Sequence, residues 1–479
     1  MTVVAVGFTS PLALAKAHTD TIQSVIPVAD KLPAEFASDI LVTLLERDLV
    51  PVGSRLQVAD RAYRRADGAP EGSAQRWVYP AGPLAELSRI NGIDRVSLKV
   101  RAVRQLAKTD AVAAVDLFNE IELPVGSPAS CPTPSIANFA LYYDVMQEIA
   151  KRLSAPLARR SLIEAHMSRF RTIPQIAPFA GVLVRIPGAA LDGGPELARQ
   201  LPSLERDTAA FSACFSSAID ELRALGLELS PADRGPLVSN ARRWLIQNVT
   251  AGICAPRRQV ILASVGSPGT VSPIPWSRPI DLFNLELGVL GDGTGGLINT
   301  HALTPPPDGP QAPQFAHSAG WVHLSFMGTL LEGDEPKDSA RWKREASEYV
   351  SQLVEWSDGG DIEGFYLEKS QLLRTAIRTM QEVSESAGNE TVGRGRVASR
   401  GCTSALCERL IYALQQLIDG PIGRTVYARR HFVWYASLAD TLADYRSDQV
   451  LSLARALVRS SNPIVKAYAD LAVASAQAN

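Results

Sequence analysis

Residues Ile93–Leu123 read IDRVSLKVRAVRQLAKTDAVAAVDLFNEIEL, and this stretch decides the fold class of the chain. Its apolar residues recur every three or four positions, which is the period of helices that bury one face. They form one stripe on each side of a tight turn at Lys108–Asp110: Val96, Val100, Val103 and Ala107, then Ala111, Val115, Phe118 and Ile121. The stretch therefore predicts a hairpin of two amphipathic helices.

The ends of the second helix of this hairpin are marked by residues that start and stop helices. Asp110 is expected to cap its beginning, because the carboxylate can accept hydrogen bonds from the free amides of the first turn. Pro124 lacks a backbone N–H and is expected to end it. A helical hairpin cannot bury its apolar face alone, so further hairpins are expected to stack on this one.

Composition narrows the class of protein. The chain has 479 residues, a formal net charge of -2, 46% hydrophobic residues and 20% charged residues. The length fits two or three domains or one long helical array, and the hydrophobic share is sufficient for a packed core. The small net charge argues against a partner made of nucleic acid and against charge-driven membrane binding. No stretch reaches the run of about 18 apolar residues that a membrane span needs, so no integral span is expected.

The N-terminus has the features of an export signal. Residues 1–17 contain the apolar run Val3–Ala15, and Ala15-Lys16-Ala17 fits the small-x-small rule for signal cleavage. We therefore expect a signal peptide over 1–17 and an exported, periplasmic or extracellular protein. The alternative is a buried N-terminal helix in a cytoplasmic protein.

Amphipathic helices recur through 18–254 and again through 337–479, and these ranges are predicted as two helical arrays. Residues 255–336 differ because they are rich in Pro and Gly. Apolar fragments between the turns predict a partly β insertion there. Its expected strands are Gln259–Val265, Leu282–Leu290 and Trp321–Met327. The predicted fold is thus all-α, with stacked antiparallel helices in an α-solenoid-like array and this insertion in the middle.

The five cysteines show no spacing typical of a structural zinc site. They are Cys131, Cys214, Cys254, Cys402 and Cys407. In an exported protein Cys402 and Cys407 could form a disulfide, and separate buried thiols are the alternative.

The segment Gly291–Gly296 matches the pattern GxGxxG but not its structural context. In a dinucleotide site a helix begins at the last glycine and its N-terminus faces the pyrophosphate. Here the following residues, LINTHALTPPPDGP, cannot form a long helix. The segment is better interpreted as a hairpin turn or a weak cation loop at Asp292, and no cofactor is predicted.

The same predicted insertion contains half of the histidines in the chain, His301, His317 and His323. Three imidazoles can ligate a metal, but these spacings match no known ligand pattern. An enzyme site would require these side chains to meet Asp292 and Glu332 in one pocket. A further histidine, His166, lies among apolar residues and is expected to be a core residue.

The helical-hairpin texture resembles TPR and HEAT repeats. The residues that carry the resemblance are Ala114-x-x-x-Phe118, Ile121 and Pro124, which are similar to the second helix of a TPR. The resemblance covers one hairpin, and no fixed period runs along the chain. It implies a helical scaffold and transfers no functional residues.

Two functional hypotheses follow. The first is a non-enzymatic helical scaffold that binds a protein or peptide partner, without catalytic, cofactor or metal residues; a structural part of a cell-envelope assembly is a variant of it. The second is a hydrolase with its site between the helical array and residues 255–336.

Overall fold

The structure is a computed structural model that describes the following residues: 25–69, 92–123, 138–252, 276–291, 297–304, 318–332, 339–357, 362–389, 405–442 and 448–478. Helices account for most of these residues, and no strand occurs within these ranges. The predicted all-α class is therefore confirmed. The predicted signal peptide at 1–17 lies outside the described residues.

The α-helices follow the chain in this order: α1 Ala34–Glu46, α2 Arg55–Arg65, α3 Arg95–Ala107, α4 Ala111–Asn119, α5 Phe139–Arg152, α6 Pro156–Met167, α7 Ile176–Arg185, α8 Ala189–Gln200, α9 Thr208–Glu228, α10 Pro231–Val249, α11 Arg278–Glu286, α12 Ala319–Leu331, α13 Ala340–Glu355, α14 Ile362–Asn389, α15 Ala405–Asp419, α16 Pro421–Thr441, α17 Asp448–Leu457 and α18 Pro463–Ala478. A helical turn over 25–29 precedes α1.

Contacts divide the chain into two compact units. The first unit comprises Met1–Val58 together with Ala316–Asn479, and the second comprises Ala59–Phe315. The boundaries predicted from composition, near 17, 254 and 336, divide the chain differently and stay a prediction.

The second unit contains the predicted hairpin. Helices α3 and α4 lie where the apolar pattern places them, and they pack against each other. The Asp110 carboxylate accepts hydrogen bonds from the backbone N–H groups of Val112 and Ala113, both at 3.0 Å. The expected cap is confirmed, whereas Pro124 lies outside the described residues.

The helices of the second unit pack in two rows. Helix α3 contacts α5, α5 contacts α7, α7 contacts α9, and α9 contacts α11. In the other row α6 contacts α8 and α8 contacts α10, while neighbours along the chain join the rows. Each helix of these rows therefore contacts a helix two places away from it in the chain.

The predicted β insertion is wrong wherever the structure describes it. Leu282–Leu290 falls within α11 and the 3-10 turn Gly288–Leu290, and Trp321–Met327 falls within α12. A short apolar run satisfies both the strand and the helix period, so alternation alone misleads. At α12 the helix is distinguished from a strand by its N-cap: the Ser318 hydroxyl accepts a hydrogen bond from the Trp321 N–H at 3.1 Å. Gln259–Val265 lies outside the described residues.

The first unit contains helix α1, near the beginning of the chain, and the last helices of the chain. Helix α1 packs against α18, and the Asp39 carboxylate of α1 is buried there. It accepts a hydrogen bond from the Tyr435 hydroxyl at 2.6 Å and another from the Tyr468 hydroxyl. The same unit stacks α12 on α13 and α14, and α14 on α15 and α16.

Candidate binding surface

The structure describes three of the residues considered for an enzyme site: His301, His323 and Glu332. His323 lies on α12 and Glu332 at its end, about 13 Å apart along the helix axis. His301 lies in a 3-10 turn of the second unit. Asp292 and His317 lie outside the described residues, as does most of Gly291–Gly296. Among the described side chains, no group of three or more His, Cys, Asp or Glu residues could hold a metal ion.

The expected core position of His166 is confirmed. The ring is fully buried and stacks on Phe118 with 5.0 Å between ring centroids. Its Nδ1 lies 2.8 Å from the Leu162 carbonyl oxygen, which can only accept, so Nδ1 carries the hydrogen. Burial lowers the pKa of His166 to about 4, and the positive charge of Arg169 contributes in the same direction. The imidazole is therefore neutral near pH 7 and has no route to solvent.

Arg169, three residues after His166, binds the backbone at the end of the predicted hairpin. Its guanidinium donates to the backbone carbonyls of Asn119 at 2.6 Å and Ile121 at 3.3 Å. These carbonyls belong to the last residue of α4 and to the segment just after it, so the contact fixes the predicted hairpin against the segment after α6. The cluster around His166 thus serves packing.

Helix α12 has an unusual composition for a helix at a protein surface. Its sequence, AGWVHLSFMGTLL, contains no Asp, Glu, Lys or Arg. A surface helix normally turns a charged or polar face to water, and a helix that is apolar all round is normally buried. Yet Val322 is 41% exposed, Phe326 57% and Leu330 59%. These three residues, spaced four apart, form one line along the helix, which we call the outer stripe.

The opposite face of α12 packs against α13 and α14. Leu324 is buried, and a Cβ added at Gly320 would overlap the Trp356 indole nitrogen. The Trp342 indole N–H donates to the Leu331 carbonyl at 3.1 Å. Helix α12 is therefore held firmly by its inner face, and the outer stripe is not needed for this packing.

Helix α14 fixes the ends of both neighbouring helices with adjacent side chains. The Glu368 carboxylate accepts from the Ser318 hydroxyl at 2.8 Å, at the beginning of α12. The Lys369 ammonium donates to the carbonyls of Val354 at 2.9 Å and Trp356 at 2.5 Å, at the end of α13. The beginning of a helix favours a negative charge, as Glu368 provides for α12, and the end of a helix favours a positive charge, as Lys369 provides for α13. Burial lowers the pKa of Lys369 to about 8.

One polar side of α13 adjoins α12. The His323 Nε2 of α12 lies 3.2 Å from the Gln352 Oε1 of α13. Glu348, Glu345 and Arg341 share the Gln352 side of α13, because they precede Gln352 by four, seven and eleven positions. Glu332 ends α12, and its charge adds to burial in raising the pKa of Tyr349 to about 12.

This side of α13 carries charges of both signs. Glu345 accepts from Arg341 at 2.9 Å and Glu348 accepts from the Gln352 amide at 3.2 Å. The outer stripe of α12 is therefore apolar, and the neighbouring side of α13 is polar and of mixed charge.

None of the described helices combines the length and the apolar composition of a membrane span. Comparison with family models, curated proteins and solved structures finds no match for this chain. Function is therefore inferred from the surface itself.

Proposed function

We propose that the protein is a non-enzymatic helical scaffold that binds a protein partner through the outer stripe of α12. The observation that carries this proposal is the exposure of Val322, Phe326 and Leu330 on a helix without charges. Contiguous patches of exposed apolar side chains on a protein surface commonly mark interaction sites. Covering them would contribute roughly 1–2 kcal/mol per side chain to binding.

The scaffold itself is proposed to be α-solenoid-like, in keeping with the resemblance to TPR and HEAT repeats. The two rows of the second unit support this, because each helix contacts the next but one. Ion pairs between helices of one row, Arg104–Glu148 and Arg185–Glu221, follow the same neighbour pattern. The hydrolase alternative has no comparable support, since His323 and Glu332 lie about 13 Å apart along α12 and no described group of three or more His, Cys, Asp or Glu residues could hold a metal ion.

Photo-crosslinking in the native host tests the proposed surface. A p-benzoylphenylalanine in place of Phe326 should crosslink to another protein, because this position is central in the outer stripe. The matched control replaces Leu157 of α6, which is 77% exposed but has no neighbouring stripe on its helix. Crosslinks of equal strength from both positions, or none from 326, would contradict the proposal.

We also propose that the protein is exported. Cys407 is in a disulfide, whose partner lies outside the described residues, and disulfides persist mainly in oxidising compartments. Cys214 is not in a disulfide. The specific Cys402–Cys407 pair stays a prediction.

Intact mass in each cell fraction, with and without thiol alkylation, tests the export proposal. We expect a chain without residues 1–17 in an extracytoplasmic fraction, with Cys407 protected from alkylation. A full-length chain in the cytosol with every thiol alkylated would argue against it.

A further inference from the structure

We infer that helix α1 is a clasp: it closes the first unit last, after the local contacts of both units have formed, and it is the first helix of its unit to open. This inference goes beyond the proposed function and does not depend on the outer stripe. It draws on the buried contacts of α1 and on the sequence distance between α1 and the residues that it contacts.

The polar contact of α1 is a buried carboxylate between two tyrosines. Asp39 is 1% exposed and accepts hydrogen bonds from the hydroxyls of Tyr435 on α16 and Tyr468 on α18. Burial raises the pKa of Tyr468 well above its usual value, and the charge of Asp39 acts in the same direction, so this hydroxyl keeps its proton and donates. A buried carboxylate without donors is strongly unfavourable, so the position of α1 depends on these hydroxyls.

The apolar contact of α1 involves the same two helices. The ring of Phe36 is fully buried, and its centroid lies between 5.9 and 6.4 Å from the ring centroids of Tyr427, Trp434, Tyr435 and Tyr468. Just after α1, the Arg47 guanidinium donates to the Ser475 hydroxyl of α18 at 2.8 Å. The buried face of α1 is thus covered by residues near the end of the chain.

The contacts of α1 join the two ends of the chain, whereas other helices pack on near neighbours. The two hydrogen bonds of Asp39 span 396 and 429 positions. In the first unit α12 packs on α13, α15 on α16 and α17 on α18, and the rows of the second unit join helices two places apart. A contact between distant residues costs more chain entropy than a local one.

The order of synthesis acts in the same direction. Helix α1 leaves the ribosome early, and the residues that cover Phe36 and Asp39 are made last. Helix α1 therefore waits for these residues while the local contacts of the other helices form. The predicted cleavage after Ala17 precedes α1, so an exported chain would keep the clasp.

Pulsed hydrogen exchange during refolding of the full chain tests the order of closure. Mass spectrometry of peptic fragments should show the backbone amides of α5 and α7 protected first and those of α1 last. Protection of α1 at the same time as α5, or before it, would overturn the inference.

Two matched substitutions test whether the clasp opens separately in the folded protein. Tyr468→Phe removes one donor to the Asp39 carboxylate and should speed native-state hydrogen exchange of α1 at least about tenfold, without a change in α5. Tyr143→Phe of α5 is the control, because Tyr143 is also buried and its hydroxyl accepts from the Gln175 amide at 3.0 Å. It should speed exchange in α5 and leave α1 unchanged. Circular dichroism verifies that each variant is folded.

The outcomes of these exchange measurements decide for or against the clasp. Unchanged exchange of α1 in Tyr468→Phe would overturn the inference, and so would an equal acceleration in every helix of the first unit, which would make α1 part of one cooperative unit. If Tyr468→Phe does not fold, Tyr435→Phe removes the other donor and replaces it, and the refolding order of the unaltered chain still decides. The proposed function is tested separately, by crosslinking from position 326.

Discussion

The cluster around His166 and the outer stripe of α12 are opposites in chemistry and in accessibility. His166 is titratable and has an Nε2 without a hydrogen-bond partner among the described residues, yet it is fully buried. The outer stripe has no group capable of acid–base or nucleophilic chemistry, yet it is largely exposed. The reactive group thus lies where no substrate reaches, and the accessible surface is suited to contact. This difference favours binding over catalysis.

Both features are retained at an energetic cost. An unpaired polar atom in a core is unfavourable, and so is a line of apolar side chains in water. Stacking on Phe118 and the hydrogen bond from Nδ1 to the Leu162 carbonyl stabilise the buried ring and offset the cost of its unpaired Nε2 within the fold. The second has no compensation within the described structure, and a partner would provide it.

Substitutions on the inner and the outer face of α12 should differ most in their effect on the free energy of unfolding. Leu324→Ala should lower the free energy of unfolding by about 3 kcal/mol, because it opens a cavity in a packed core. Leu330→Ala on the outer stripe removes the same atoms and should change it by less than about 0.5 kcal/mol. Urea denaturation measures both. Equal losses would mean that the stripe belongs to the core.

The buried His166 should make the protein sensitive to acid. The folded protein takes up this proton only near pH 4, and the unfolded chain does so near pH 6.5. Between these values the unfolded state binds more protons, so stability should fall as the pH is lowered through this window. The loss should approach about 3 kcal/mol below pH 4.

His166→Phe supplies the control for this pH dependence. The substitution keeps an aromatic ring against Phe118 and removes the titrating group. Denaturation at several pH values should show that this component of the slope has gone. A variant with the wild-type slope would place the acid sensitivity elsewhere.

The close contact on the inner face of α12 can be tested with two glycines. Gly320→Ala should lower the free energy of unfolding by roughly 1–2 kcal/mol, because its Cβ would overlap Trp356. Gly235→Ala in α10 has nothing within 4 Å of its Cβ and should stabilise by up to about 1 kcal/mol. Thermal unfolding of the two variants tests this expectation. A gain in stability from both substitutions would show that α12 can move away from α13.

The sequence predicted those helices whose apolar period and caps agree. The α3–α4 hairpin lies where its apolar period places it and has its expected cap at Asp110. Helix α2, Arg55–Arg65, is mostly polar, so its helical state depends on what packs against it and not on an apolar period in the sequence. Helix α12 was predicted as a strand, because Val322, Leu324 and Phe326 alternate with other residues.

The candidate surface could not be predicted from the chain alone. Periodicity shows which residues are apolar, but in a helix without charges it cannot show which side is covered. The lack of charged residues over Ala319–Leu331 was the available clue. Asp39 and its tyrosine partners illustrate the same limit, since about 400 positions separate them in the chain.

The most direct measurement combines stability and binding on one variant. Phe326→Ser should leave the free energy of unfolding within about 0.5 kcal/mol of wild type, the smallest change expected here, while strongly weakening the crosslink to the partner from a p-benzoylphenylalanine at Leu330 of the same stripe. That result would show that Phe326 serves a partner and not the fold. A loss of several kcal/mol, or unchanged binding in a folded variant, would contradict the account.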